Sequence, residues 1–161
     1  MSSERIQIYR DFLQSYTKDS ESKALNISQV TKAFHPDEMD GKGCLKGFRE
    51  RDMRSGPIHQ FGSDAFDPAR FRLINPALHK KSDPGDAIRR GENVDDAVEA
   101  GVNAGVFTFS EIIFNATHTR AAFSFSFVCG GLCGHGWTVI YKRTAPGGWR
   151  QSRAACAHWI S

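Results

Sequence analysis

The chain of 161 residues lacks any long apolar segment. Its longest apolar-rich stretch, Ala121 to Val128, is interrupted by Ser124 and Ser126, whereas a membrane-spanning helix needs about 20 apolar residues. The first six residues also lack the apolar region of a signal peptide. We therefore expect no membrane span, and a leader, if the protein is exported, must be absent from this chain.

Dense clusters of basic residues are missing as well. The 21 Lys and Arg residues exceed the 18 Asp and Glu residues by only three, which gives a net charge of +3. A nucleic-acid-binding surface concentrates basic side chains on one face of the protein. We therefore expect no nucleic-acid partner.

Sequence signatures of common catalytic classes are also lacking. There is neither a phosphate-binding glycine motif nor a Gly-x-Ser-x-Gly elbow. The composition, with 40% hydrophobic and 24% charged residues, is that of a globular protein, and the length suits one domain, residues 1–161. We favour a non-enzymatic role and expect no cofactor.

Helices are predicted in two regions. In residues 1–18, Ile6, Tyr9, Leu13 and Tyr16 recur at spacings of three and four, which is typical of an amphipathic helix. Residues 19–92 are rich in Pro and Gly turn signals, so we expect them to be irregular. Residues 93–104 have an N-cap asparagine and apolar residues at helical spacing, which predicts a second helix.

Residues 105–161 are predicted to form an antiparallel sheet. The four expected strands run in a meander: Val106 to Asn115, Arg120 to Cys129, Trp137 to Arg143 and Trp149 to Ile160. We expect an α+β fold in which the N-terminal helix packs on this four-stranded antiparallel meander. By analogy, this arrangement of a helix over a curved sheet suggests the cone-shaped NTF2-like architecture.

The second predicted strand alternates large aromatic and small side chains. Pairing Cys129 with Trp137 places Phe127 opposite Val139 and Phe125 opposite Tyr141, which gathers the large residues on one face. This aromatic face should meet the helix. With Glu111 as a half-buried carboxylate, Phe125, Phe127 and Tyr141 could instead line a pocket for a small molecule.

Four cysteines, Cys44, Cys129, Cys133 and Cys156, are an even number and suggest two disulfides. In the predicted meander Cys129 and Cys156 flank the third strand about 10 Å apart, beyond the roughly 7 Å limit for bridged Cα atoms. We therefore expect Cys133 to pair with Cys156 and Cys44 with Cys129. Either the cysteines are cytosolic thiols or a leader has been removed from an exported protein. We favour export, so an oxidising compartment, the periplasm or the extracellular space, is expected.

Two other uses of these residues stay open. Cys133, His135, Cys156 and His158 form two Cys-x-His pairs, a ligand set that Zn²⁺ accepts, and strand alternation places Cys156 and His158 on one face. Alternatively, His135 or His158 could activate the Cys133 thiol as a nucleophile. If the cysteines are oxidised, Gly130 to Gly136 is a structural loop and His135 an exposed neighbour without a chemical role.

The C-terminal sequence Cys129-Gly-Gly-Leu-Cys-Gly, the turn at Gly148-Trp149 and the Trp159-Ile-Ser161 end resemble a family of small uncharacterised bacterial proteins with these features. The resemblance covers roughly Phe107 to Ser161 and implies an extracytoplasmic protein, without an assigned activity. We expect a disulfide-stabilised module that binds a protein or envelope component without catalysis. The alternatives are a small-molecule pocket or small enzyme lined by aromatic sheet residues, and a zinc or thiol site at the cysteine loop.

Overall fold

The computed structural model describes residues 1–18, 24–36, 43–54, 56–80, 83–131, 133–145, 147–153 and 156–161. Several positions covered by the predictions lie outside these ranges. They include Leu132 of the glycine segment, Ala154 and Ala155 of the fourth predicted strand, and parts of the region predicted to be irregular. Among the described residues, no helix is both long and apolar enough to cross a bilayer.

The described residues include three α-helices: α1 (Ser3–Tyr16), α2 (Pro84–Arg89) and α3 (Val94–Ala104). A short 3-10 helix covers Glu50–Met53. Helix α1 buries Ile8, Tyr9, Phe12 and Leu13, which recur at helical spacing along one side. The side chains of Asp83 and Asn93 accept hydrogen bonds from backbone N–H groups in the first turns of α2 and α3, which fixes where these helices begin.

The fold is α+β with a mixed sheet of eight described strands. The strands are β1 (Leu25–Ser28), β2 (Phe71–Ile74), β3 (Val106–Phe109), β4 (Ile113–Phe114), β5 (Arg120–Gly130), β6 (Cys133–Arg143), β7 (Trp149–Gln151) and β8 (Cys156–Ile160). Their order is β2-β1-β3-β5-β6-β7, with β4 paired to β5 and β8 paired to β6. Strand β1 is parallel to both β2 and β3, whereas β3, β5 and β6 are antiparallel.

The predicted four-stranded meander is therefore only part of the sheet. Strands β1 and β2 come from the region predicted to be irregular, and each is only four residues long. Strands this short are too brief to show the alternation by which a strand is recognised in a sequence. They form because their apolar side chains pack in the core, where Ile27 is fully buried. The NTF2-like cone remains an analogy.

Two of the predicted strands are divided in the structure. The first becomes β3 and β4 because the chain leaves the ladder at Ser110, and the Glu111 N–H donates to the carbonyl of Lys32 instead. The fourth becomes β7 and β8, which pair with different parts of β6. The backbone at Lys32 therefore attaches to the sheet beside Ser110.

The predicted register between β5 and β6 is wrong by four residues. Phe125 lies opposite Trp137, and Phe127 lies opposite His135. The shift arises because β6 begins at Cys133, so that most of the expected glycine loop is strand. A shift of four preserves the side on which each residue lies, and Phe125 still packs against α1, with its ring centroid 4.6 Å from that of Phe12.

The sheet has a hydrophobic cluster on each face. On the first face, α1 covers the aromatic residues of β3 and β5, and Tyr9 and Phe123 are fully buried there. On the second face, a smaller cluster joins Phe34, Leu45 and Phe48 to Ile140 of β6. Phe123, Phe125 and Phe127 thus belong to the first face, as the alternation predicts.

Candidate functional site

The two disulfides join Cys44 to Cys156 and Cys129 to Cys133, with Cα separations of 5.8 and 5.1 Å. The predicted pairing of Cys133 with Cys156 and Cys44 with Cys129 is wrong. Because β6 begins at Cys133, opposite Gly130, the hairpin brings Cys129 and Cys133 together directly. Cys156 lies opposite Thr138 and belongs to the cluster on the second face, which Cys44 contacts.

The hairpin that carries the second disulfide is anchored to α2. Gly131 donates its backbone N–H to Asp83 at 2.6 Å, and the same carboxylate accepts the N–H of Gly85 at 2.8 Å. Hydrogen bonds from the backbone N–H groups of Gly131 and Asp86 lower the pKa of Asp83. One side chain therefore caps α2 and fixes the tip of the β5–β6 hairpin.

Three rings meet beside this hairpin, where α1 ends. The centroids of Tyr16, His135 and Trp137 lie 6.0 Å from one another, so the rings form a triangle, with the plane of His135 nearly parallel to each of the other two. The Tyr16 hydroxyl is hydrogen-bonded to Nε2 of His135. The expectation that His135 is an exposed neighbour is therefore wrong, because its ring is half-buried against Tyr16 and Trp137.

His158 joins these rings from β8. Its ring centroid lies 5.4 Å from that of Trp137, whereas Cys156 is buried on the second face of the sheet. The expectation that Cys156 and His158 share a face is wrong, because Ala157 has a left-handed φ of 49° that breaks the alternation. We call Tyr16, His135, Trp137 and His158 the ring cluster.

Protonation in the ring cluster is biased toward neutral forms. Burial lowers the pKa of His135, and the nearby charge of His158 lowers it further. Burial raises the pKa of Tyr16. At neutral pH His135 is therefore an uncharged imidazole whose Nε2 accepts the Tyr16 O–H, which places its own proton on Nδ1.

The four residues considered for zinc do not converge. Cys133 and Cys156 are bonded to other sulfurs and lie in different hydrophobic clusters on opposite faces of the sheet. In the part of the chain that the structure describes, no group of three or more His, Cys, Asp or Glu residues could hold a metal ion. With both cysteines oxidised, neither sulfur is a thiolate ligand or nucleophile.

The four residues considered for a pocket are divided between two environments. Phe125 and Tyr141 are buried in the first-face core, where the Tyr141 hydroxyl donates to Asp11 at 2.9 Å. Phe127 extends this core and contacts the ring of His135, 5.6 Å away between centroids. Glu111 lies at the break between β3 and β4.

Glu111 is only 1% exposed, and its carboxylate binds two neighbours. Oε1 accepts a hydrogen bond from the Thr31 hydroxyl. It accepts a second one from the backbone N–H of His59, at an N···O distance of 3.1 Å. The same oxygen lies 3.0 Å from Nδ1 of His59. Glu111 thus holds the segment around His59 against the sheet, which is a structural use of a buried carboxylate.

Sequence reasoning missed Tyr16 and Trp137 as members of a site. The helical spacing places Tyr16 in the apolar stripe of α1, whereas its position at the end of that stripe leaves it half-buried. The available signal is the alternation of Cys133, His135 and Trp137, which places all three on one face of a strand. Only the position of α1 shows that Tyr16, 119 residues before His135, contacts that ring.

The chain was compared with family models, with curated proteins and with solved structures, and it matches none of them.

Proposed function

We propose that this protein is an extracytoplasmic, disulfide-stabilised module that binds a protein or envelope component through the ring cluster, without catalysis. The observation that carries the proposal is the contact of the Tyr16, His135 and Trp137 rings with one another, with His158 exposed at their edge. Large amphipathic rings at a surface supply contact area together with hydrogen-bonding tips, and such residues are enriched at protein interfaces.

Preorganisation supports the same function. Tyr16 is held by its hydrogen bond to His135, and Trp137 packs edge-on against Phe125 with centroids 4.4 Å apart. Rings that are already ordered lose little side-chain entropy when a partner binds. The Cys129–Cys133 disulfide fixes the beginning of β6, from which His135 and Trp137 project.

The two disulfides support the proposed compartment, because structural disulfides persist in oxidising environments. Alkylation of the denatured, unreduced protein taken directly from its native host tests it. We expect no labelled cysteine, and two or more labelled thiols would contradict the compartment.

Site-specific photocrosslinking in the native host tests the binding surface. A photoreactive residue at position 158 should give discrete adducts, and these should be lost when Trp137→Ala is added. The same residue at position 72, on the outer strand β2, is the control, because Arg72 is exposed and far from the ring cluster along the sheet. Equal adducts at both positions, or adducts that persist in Trp137→Ala, would refute the surface.

The alternative of a pocket lined by Phe125, Phe127, Tyr141 and Glu111 has less support. Phe125 and Tyr141 fill the space between the sheet and α1, and Glu111 is occupied by Thr31 and His59. A small-molecule site would have to lie elsewhere on the molecule.

A further inference from the structure

A separate cavity of about 180 Å³ opens on the second face of the sheet, away from the ring cluster. Its polar lining consists of hydroxyl groups from two adjacent strands, which are those of Thr108, Ser110, Ser124 and Ser126. Trp159 lines another side, and the segment that contains Lys32 and His35 closes the rest. The cavity therefore combines a hydroxyl-rich floor, an aromatic wall and two basic side chains.

The hydroxyl-lined floor of the cavity arises because successive side chains of β5 lie on opposite faces of the sheet. Phe123, Phe125 and Phe127 point toward α1, so Ser124 and Ser126 point to the second face. Thr108 of β3 lies directly opposite Ser126. The hydroxyls of Thr108 and Ser126 are half-buried and have no hydrogen-bond partner among the described residues, so they are available to a ligand.

The other two hydroxyls are already positioned by the protein. Ser110 accepts the backbone N–H of Ser124 at 2.8 Å. The Ser124 hydroxyl in turn lies 3.0 Å from that of Thr138. These bonds fix the inner part of the floor, and the unpaired Thr108 and Ser126 define where hydrogen bonds to a ligand can form.

The aromatic wall depends on a glycine. Trp159 lies opposite Gly136 in the β6–β8 ladder, and a Cβ atom on Gly136 would lie 2.8 Å from the indole Nε1 and 2.4 Å from the carbonyl oxygen of Phe125. Only glycine lets the indole approach β6 this closely. Trp159 remains 41% exposed, so part of its ring is free to cover a ligand.

The charge of the cavity is positive. Lys32 and His35 are exposed at its edge, and no carboxylate lines it in the described part of the chain. The backbone of Lys32 is fixed to the sheet, because its N–H donates to Phe109 at 2.8 Å and its carbonyl accepts from Glu111 at 2.7 Å. The ammonium group is therefore carried by an ordered segment.

We propose that this cavity binds a single sugar-acid unit, a monosaccharide that carries a carboxylate. The ring hydroxyls bind Thr108 and Ser126, the apolar face of the sugar ring packs on Trp159, and the carboxylate pairs with Lys32 and His35. The cavity volume of about 180 Å³ is below the range of sites for drug-sized ligands and suits one compact sugar. The site does not depend on the ring cluster.

Titration calorimetry of the full chain with glucuronate, glucose and acetate tests the proposal. We expect glucuronate to bind, and both glucose and acetate to bind at least about fivefold more weakly. Glucose lacks the carboxylate that pairs with Lys32 and His35, and acetate lacks the sugar ring and its hydroxyls. Lys32→Met and Ser126→Ala should each weaken glucuronate binding at least about fivefold without moving the unfolding midpoint. Lys142→Met, which removes an exposed lysine of β6 outside the cavity, is the control and should bind like the unaltered protein.

Three results would overturn the site. They are the absence of glucuronate binding, equal affinity for glucose and glucuronate, and unchanged affinity in both Lys32→Met and Ser126→Ala. Trp137→Ala, which disrupts the ring cluster, should leave glucuronate binding unchanged. A failure at the ring cluster is therefore distinguishable from a failure of the sugar-acid site.

Discussion

Cys44 and Cys156 are 112 positions apart in the chain, yet their Cα atoms lie 5.8 Å from each other. Their disulfide joins the segment around Leu45 to β8 on the second face of the sheet. The first face is covered by α1, whereas on this face Met53 of the short 3-10 helix packs against the cluster. The second hydrophobic cluster is therefore held together by a covalent bond as well as by packing.

The two disulfides should differ in their effect on stability. In the chain-entropy model, a bond that closes a loop of more than 100 residues contributes about 5 kcal/mol, and one that closes a loop of a few residues about 2 kcal/mol. Cys44→Ala with Cys156→Ala should therefore lower the free energy of unfolding by more than Cys129→Ala with Cys133→Ala. Urea unfolding of both double variants measures the difference, and equal losses would show that the long loop is already restricted in the unfolded chain.

The core contact between Phe125 and Phe12 should be a large contributor to stability. Phe125 is 2% exposed and contacts the rings of Phe12, Tyr16 and Trp137. Phe125→Ala should cost about 3 to 5 kcal/mol in denaturant unfolding because it leaves a cavity. Leu78→Ala, at a side chain that is 80% exposed, is the control and should cost little. A cost for Phe125→Ala below about 1 kcal/mol would mean that the aromatic face is open.

His135 should make the protein less stable in mild acid. Burial and the charge of His158 lower its pKa in the folded state, so the unfolded chain binds the proton more readily. Stability is therefore highest above the unfolded pKa of about 6.5 and decreases as the pH falls below it. His135→Gln, which keeps an acceptor for Tyr16, should lose less stability between about pH 7 and about pH 5 than the unaltered protein.

Thermal unfolding across this pH range provides the measurement. His35→Gln is the matched control, because His35 is exposed and contacts neither Tyr16 nor His158 in the described structure. It should retain the pH dependence of the unaltered protein. An unchanged pH dependence in His135→Gln would show that His135 does not control it.

Glu111→Ala should be more damaging than Glu111→Gln. The alanine removes the charged acceptor of the Thr31 hydroxyl and the His59 backbone N–H, which keep only their bonds to each other, so it should cost about 1.5 to 3 kcal/mol. The glutamine retains a carbonyl oxygen for both donors and should cost less. Glu92→Ala, which removes an exposed carboxylate paired with Arg90, should be nearly neutral. Urea unfolding compares the three variants, and equal costs at positions 111 and 92 would contradict the anchoring role.

Periodic features could be predicted from the sequence, whereas long-range pairings could not. The alternation around Phe125 is a local pattern and correctly indicates what is buried. The predicted stripe of α1 is only partly right, because Tyr9 and Leu13 are buried, whereas Ile6 and Tyr16 are half-buried and the buried Ile8 and Phe12 lie outside it. The position of the hairpin is not a local property, because glycines suit both a loop and the closely packed strand that Gly136 occupies. The error in the β5–β6 register then led directly to the wrong cysteine pairs.

Glu111 illustrates the same limit. The alternation predicts a half-buried Glu111, whereas the side chain is fully buried, because it binds Thr31 and His59, which lie 80 and 52 positions away. Both come from segments without strand alternation, attached by isolated bridges of Val30 to Gln60 and Lys32 to Ser110. Only the folded chain shows that these segments meet at residue 110.

The disulfide between Cys44 and Cys156 also affects the order of oxidative folding. Cys129 and Cys133 can be oxidised as soon as their hairpin forms, because closing so short a loop is fast. Cys44 cannot form its native disulfide until β8, 112 positions later in the chain, has joined the sheet. During that interval it can attack the hairpin disulfide, and a thiolate exchange must then restore the native pair. The molecule therefore completes its second face last, with the strand that also brings Trp159 to the sheet.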